Sequence, residues 1–152
     1  LIPETCLAFP YRHRTHRNKI RFQTSGFRFQ ENNIRDYRKL RAFELADQLV
    51  LAIYKCTKSF PKEEMFGLTS QIRRAAVSVP SNIVEGCAKS SQADYSRFLE
   101  IAYGSVCEVE YQLSLAERLG FLESQSAKET ISLANETGRV LNGLLRSLKS
   151  DS

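Results

Sequence analysis

The sequence predicts an all-α fold, an antiparallel up-down four-helix bundle. Three observations predict it. Apolar residues recur at three- and four-residue spacing in four separate stretches between residues 37 and 149. Stop and start signals, among them Pro61, Gly86, Ser91 and Gly120, fall between those stretches. Glycine and proline are few, 7 and 4 in 152 residues, which suits helices over sheets. A chain of this length is one domain with enough residues for a real core. Its 42% apolar and 26% charged residues are ordinary globular values.

Residues 1–35 show no steady period and read as a basic, disordered N-terminal arm. Aromatic and basic residues interleave there: Phe9, Tyr11, Arg12, Arg14, Arg17, Arg21, Phe22, Phe27, Arg28 and Phe29. That composition suits RNA, through phosphate contacts and base stacking. The plainer reading is a tail with no such role, or a stretch never made in the cell. The whole net charge of +5 sits on this arm, while residues 36–152 are neutral by count. A basic-charge argument for nucleic-acid binding therefore leans on the arm. His13 and His16 are the only histidines, and two ligands without a third make an incidental pair rather than a metal site. The chain begins with Leu1 and its only methionine is Met65, so residue 1 is not expected to be the natural start.

Residues 36–152 read as the bundle domain. The first helix spans 37–60. Leu40, Phe43, Ala46, Val50, Ile53 and Tyr54 form its inner face, with Leu49 at the flank, and Pro61 ends it. The second helix follows the link Lys62-Glu63-Glu64. Leu68, Ile72, Ala75, Ala76, Val79 and Ile83 fall on one narrow face at 100° per residue. Pro80 removes a backbone hydrogen bond inside it, and the uninterrupted phase of that stripe predicts one proline-kinked helix rather than a turn at 79–81. Ser91 with Asp94 resembles a capping box and opens the third helix. Its wide inner face holds Phe98, Ile101, Ala102, Ser105, Val109, Gln112, Leu113, Ala116 and Leu119. Gly120 is a left-handed stop, with Phe121 folding back. The fourth helix runs from about 126 to 149, with Ile131, Ala134, Gly138, Leu141, Leu145 and Leu148 as its seam. Gly138 and Gly143 each weaken it by about 1 kcal/mol against Ala, a cost that close helix approach would offset. Helix three is acidic and the other three are each slightly basic, which favours a fixed pairing order.

SQIRRAAVSVPSNIVEG, then a helix of the form DYxRFLxIAxGSxxExEYQL, then LNGLLRSLK, carry a resemblance. Over residues 36–149 the chain closely resembles the bacterial four helix bundle protein family, also called the 23S rRNA intervening-sequence protein family. The resemblance implies an up-down bundle assembled as a homo-oligomeric ring, typically a pentamer. It is similar in fold to the accessory variability determinant of diversity-generating retroelements, a basic pentamer that works with a reverse transcriptase and RNA. That strongly basic relative contrasts with the neutral body found here.

Little in the chain points to chemistry, and the protein is expected not to be an enzyme. Nucleophilic catalysis needs a nucleophile with an oriented base, and residues 36–152 hold no histidine. Glu108 and Glu110, two apart on a helix, point to different faces. No glycine-rich phosphate loop is present, and no cofactor or metal is expected. Cys6, Cys56, Cys87 and Cys107 share no metal-type spacing and read as reduced, mostly packed thiols of a cytoplasmic protein. No apolar run approaches the ~20 residues that span a bilayer, and arginines interrupt any signal-peptide segment.

Three residue sets remain as candidates. A polar stripe beside the core, Gln71, Ser78, Asn82 and Glu85 with Arg97 and Glu108, is expected to form a hydrogen-bonded network that fixes register; a ligand contact is the other reading. Val77, Val84, Leu99, Tyr103 and Val106 are apolar positions off the main core faces, expected to line the subunit interface. Arg38, Lys39, Arg41, Arg73, Arg74 and Lys89 are candidate contacts to nucleic acid. The function expected is that of a non-enzymatic oligomeric RNA- or DNA-binding protein of the 23S rRNA intervening-sequence type. The alternative is a protein–protein scaffold, for example for a polymerase such as a reverse transcriptase, that never touches nucleic acid.

Overall fold

A computed structural model describes residues 35–150 of the chain. The N-terminal arm, with His13, His16 and Cys6, lies outside the described residues apart from Arg35. Four long helices follow in order: α1 (Arg41–Cys56), α2 (Leu68–Cys87), α3 (Gln92–Arg118) and α4 (Ser124–Ser150). Short 3-10 turns flank α1 at Tyr37–Lys39 and Thr57–Ser59, and a third, Lys62–Met65, leads into α2. No strand occurs among the described residues.

Each helix packs on two others, α1 on α2 and α4, and α3 on α2 and α4. Antiparallel order is read from the bonds between them. Near the α2–α3 turn a Cβ on Gly86 would meet Phe98, and further from it Ser105 Oγ donates to Ser78 Oγ at 2.9 Å. Gln92 Nε2, at the start of α3, donates to the carbonyl of Leu148 at the end of α4 at 2.7 Å. Arg73, near the start of α2, reaches Thr57 beyond the end of α1. The result is an all-α bundle with one core running along its axis.

The caps explain where the elements begin and end. Ser91 Oγ accepts the Asp94 N–H at 3.0 Å, and its own hydroxyl donates to the Asp94 carboxylate at 2.7 Å. Asp94 thus returns to the Ser91 side chain, where a full capping box would reach the backbone. At the end of α3, Gly120 has φ 73°. Phe121 N–H donates to Ala116 and Gly120 N–H to Glu117, both at 2.9 Å, the paired bonds of a Schellman stop. Phe121 then packs 6.1 Å from the Phe60 ring. α2 runs unbroken through Pro80, as the continuous phase of its stripe predicts.

The core of α2 matches the expected face, with Ile72, Ala75, Ala76, Val79 and Ile83 buried. In α4 the expected Ala134, Gly138, Leu141 and Leu145 are buried as well, while α3 and α1 depart in part from expectation. In α3 the buried apolar residues are Tyr95, Leu99, Ala102, Val106, Val109, Leu113 and Ala116, an alternation of four and three residues, with Ser105 and Gln112 of the expected face buried beside them. That narrower seam leaves Ile101 and Leu119 exposed, although both belonged to the expected inner face. In α1 Leu49 is fully buried and Tyr54 is exposed, the reverse of their expected places. The seam there follows Ala42, Leu45, Ala46, Leu49 and Ile53.

The glycines also differ from expectation. A Cβ at Gly143 would meet nothing, and one at Gly138 would make ordinary contact with Val106 at 3.5 Å. The close approach is instead at Gly86, where a Cβ would lie 2.9 Å from Phe98 Cβ and 3.2 Å from Tyr95 Cδ2.

Candidate functional site

Part of the polar stripe on α2 is a bridge to α3. Asn82 Nδ2 donates to the Ser78 carbonyl at 2.8 Å and to Ser78 Oγ at 3.0 Å. Ser105 Oγ donates to Ser78 Oγ at 2.9 Å, or to the Ile101 carbonyl at 3.1 Å. These bonds tie α2 to α3 at one register. The rest of the expected network is not joined to them. Glu85 pairs at 3.5 Å with Lys89, just beyond the end of its own helix, and Glu108 accepts from Gln112 at 2.9 Å within α3. Gln71 and Arg97 are exposed, and their side chains do not join this network. Ser105 completes the bridge. It lies on the expected inner face of helix three, but its pairing with Ser78 depends on how α2 and α3 cross.

Of the five expected interface residues, two are corrected. Leu99 and Val106 are 0% exposed, inside the core of the subunit, because the four-three seam of α3 turns them inward. Val77 and Val84 on α2 are 39% and 36% exposed, and Tyr103 on α3 is 36% exposed. Glu110, two turns from Tyr103, has its carboxyl pushed up by burial.

The six basic candidates separate into two groups along α2, about 20 Å apart at 1.5 Å per residue. Arg38, Lys39, Arg41 and Lys89 lie toward the end of α2. Arg41 Nη1 meets Glu44 at 2.8 Å and Nη2 meets Glu136 at 3.3 Å, so its charge is committed within the subunit. Lys89 pairs with Glu85 and lies 4.7 Å over the Phe98 ring. Arg38 lies 5.3 Å from the centre of the Tyr37 ring. Arg35 joins this group: Nη1 donates to the Lys89 carbonyl at 3.2 Å, and its guanidinium sits 4.3 Å over the buried Tyr95 ring.

Arg73 and Arg74 form the second group. Arg73 Nε donates to Thr57 Oγ1 at 2.8 Å, and its guanidinium lies 4.8 Å over the Tyr54 ring. Arg74 is exposed. Neither arginine has a carboxylate partner among the described residues.

Other chemistry is sparse. Among the described residues no group of three His, Cys, Asp or Glu is placed to hold a metal ion. Cys56, Cys87 and Cys107 are free thiols. Burial pushes the thiols of Cys56 and Cys87 up, which keeps both protonated near neutral pH. Cys107 is exposed rather than packed, contrary to expectation. No described helix is long and apolar enough to cross a membrane.

Comparison with known proteins bears on the fold and the family. A crystal structure of a protein with unknown function, from the S23 ribosomal protein family of Bacteroides thetaiotaomicron, is similar with a TM-score of 0.65 at 24% identity. The match covers 69% of this chain and 95% of that one, and at this identity it speaks for the fold alone. No curated protein matches the chain. The family model described as 23S rRNA-intervening sequence protein matches residues 38–143, which take in most of the bundle. The chain belongs to the 23S rRNA-intervening sequence protein family.

Proposed function

We propose that the protein is a non-enzymatic, oligomeric nucleic-acid-binding protein whose bundle presents basic side chains to RNA or DNA. One observation carries this reading. Arg73 and Arg74 stand together at the surface of α2 with no carboxylate to neutralise them among the described residues. Where such a pair neutralises phosphates, cations condensed on the nucleic acid are released, which favours binding. The family's name, which refers to an intervening sequence of 23S rRNA, points the same way.

Assembly into a ring, with a pentamer as the expected size, belongs to the same proposal. A ring needs two different patches on each subunit, one meeting the other on its neighbour. Val77 and Val84 on α2 supply one, and Tyr103 on α3 supplies the other. Repetition around a ring multiplies a weak contact through effective concentration. The same proposal puts the protein in the cytoplasm, working without a cofactor.

A second reading has its own observation. Arg41 and Lys89 already spend their charge on acids of the same subunit, and Leu51, Tyr111 and Leu119 stand exposed. Such a surface fits a scaffold for a protein partner such as a polymerase. Fluorescence anisotropy of the full chain with labelled RNA, across a salt series, separates the two. Affinity that falls steeply with salt supports the first reading, and absence of binding at low salt supports the scaffold.

A further inference from the structure

Between the end of α1 and the first half of α2 the surface is concave, a cleft of about 570 Å³. Tyr54, Phe66, Thr69, Arg73, Arg74 and Val77 are among its lining. Phe66 is 91% exposed, the most exposed large apolar side chain among the described residues. Leaving such a ring in water gives up burial worth ~1.5–3 kcal/mol, so its position asks for something to cover it.

The polar groups of the cleft are poised rather than satisfied. Arg73 is fixed by its Nε bond to Thr57 and by the Tyr54 ring beneath it. Nε is the only guanidinium nitrogen of Arg73 with a hydrogen bond among the described residues, which leaves both Nη groups as donors. Arg74 adds a second cation at the same place. Thr69 Oγ1 is buried with no hydrogen-bond partner among the described residues. The acid closest in sequence, Glu64, accepts the Leu68 N–H at 2.9 Å and so serves the start of α2. Exposed aromatic rings beside unpaired guanidinium groups are the combination that takes up unpaired bases together with their phosphates.

We infer that this cleft seats a short single-stranded stretch of nucleic acid, one base against Phe66 and its phosphates on Arg73 and Arg74. The inference rests on the nucleic-acid reading above. It narrows that reading to one end of α2 and to an unpaired strand, because a duplex offers phosphates but hides its base faces. Val84, assigned above to the subunit interface, lies about 15 Å further along α2 from Arg74. A strand in the cleft leaves Val84 open to its neighbour, whereas Val77, which lines the cleft, serves the strand or the subunit contact but not both.

The test is fluorescence anisotropy of the full chain with a labelled single-stranded RNA of about ten nucleotides and with the same RNA annealed to its complement. Phe66→Ala and Arg74→Ala alter exposed side chains, and circular dichroism confirms that each variant is folded. Phe66→Ala is expected to weaken binding of the single strand about tenfold and to leave the duplex unchanged. Arg74→Ala is expected to lower the slope of log affinity against log salt by about 0.7. Unchanged single-strand binding in both variants, with loss in Arg38→Ala/Lys39→Ala, overturns the cleft and leaves the broader reading standing. No binding by the unaltered chain overturns both. A Phe66→Ala chain that sediments as a smaller species, with affinity per subunit unchanged, makes the cleft a contact between copies and overturns it as well.

Discussion

Tyr95 closes the turn between α2 and α3, 2% exposed, with Arg35 over its ring and Cys87 beside it. Burial, with the neighbouring Cys87, pushes its phenol up to about 12. The unfolded chain releases that proton near the ordinary value of ~10, while the folded chain keeps it. Stability supplied by the protonated phenol is therefore complete below about pH 10 and lost as pH rises from there toward about 12. Urea unfolding across that window should show stability falling with pH, and Tyr95→Phe should make the fall shallower; an identical slope in both proteins would contradict the assignment. Glu110 has the same sign, because burial raises its carboxyl. Its charged form is the disfavoured one, so Glu110→Gln should raise the melting temperature slightly at neutral pH. Caps act at this scale too. Ser91→Ala removes the acceptor for Asp94 N–H and should cost about 1 kcal/mol in chemical denaturation. Ser91 and Gly120 were legible in the sequence because a cap is a local pattern. Arg35 on Tyr95 was not legible, since it joins residues sixty positions apart in a segment without periodicity.

The helices separate what periodicity reveals from what it hides. α2 was read correctly because its stripe is narrow and flanked by polar residues, so only one face can turn inward. α3 carries apolar residues over more than half its circumference. Ile101 and Leu99 then compete for the core, and packing against α2 and α4 decides for Leu99 and Val106. A charge at Leu99 should accordingly unfold the subunit rather than only separate subunits. The α2–α3 pair holds its register by two devices, the Ser78–Asn82–Ser105 bridge and the near contact at Gly86. A Cβ placed 2.9 Å from Phe98 overpacks that crossing, so Gly86→Ala should destabilise by about 1–3 kcal/mol. Gly143→Ala meets nothing and should stabilise α4 by about 1 kcal/mol. Thermal melts of the two variants should move in opposite directions, and a shift in the same direction would mean that the close approach at Gly86 or the open space at Gly143 is misassigned.

At the scale of the whole molecule, charge and shape divide the surface. The basic candidates were visible in the sequence one by one, but their grouping was not, because it depends on which ends of antiparallel helices meet. The structure places Arg41 and Lys89 on acids of the same subunit and leaves Arg73 and Arg74 without one among the described residues. The body of the bundle, neutral by count, thus still carries a local positive site. Three exposed apolar residues, Val77, Val84 and Tyr103, are the patches through which we propose a ring would form. Val84→Glu should yield monomers by sedimentation without loss of helix, and a ring that survives it would move the interface elsewhere. The central claim is that the bundle, and not only its basic N-terminal arm, meets nucleic acid. It is tested most directly by RNA affinity over a salt series for the full chain and for residues 35–152. The account predicts that the shorter chain still binds, with log affinity falling by at least about 1.4 per unit of log salt for two neutralised phosphates. Binding that disappears with the arm would contradict it and make the bundle a scaffold for protein partners.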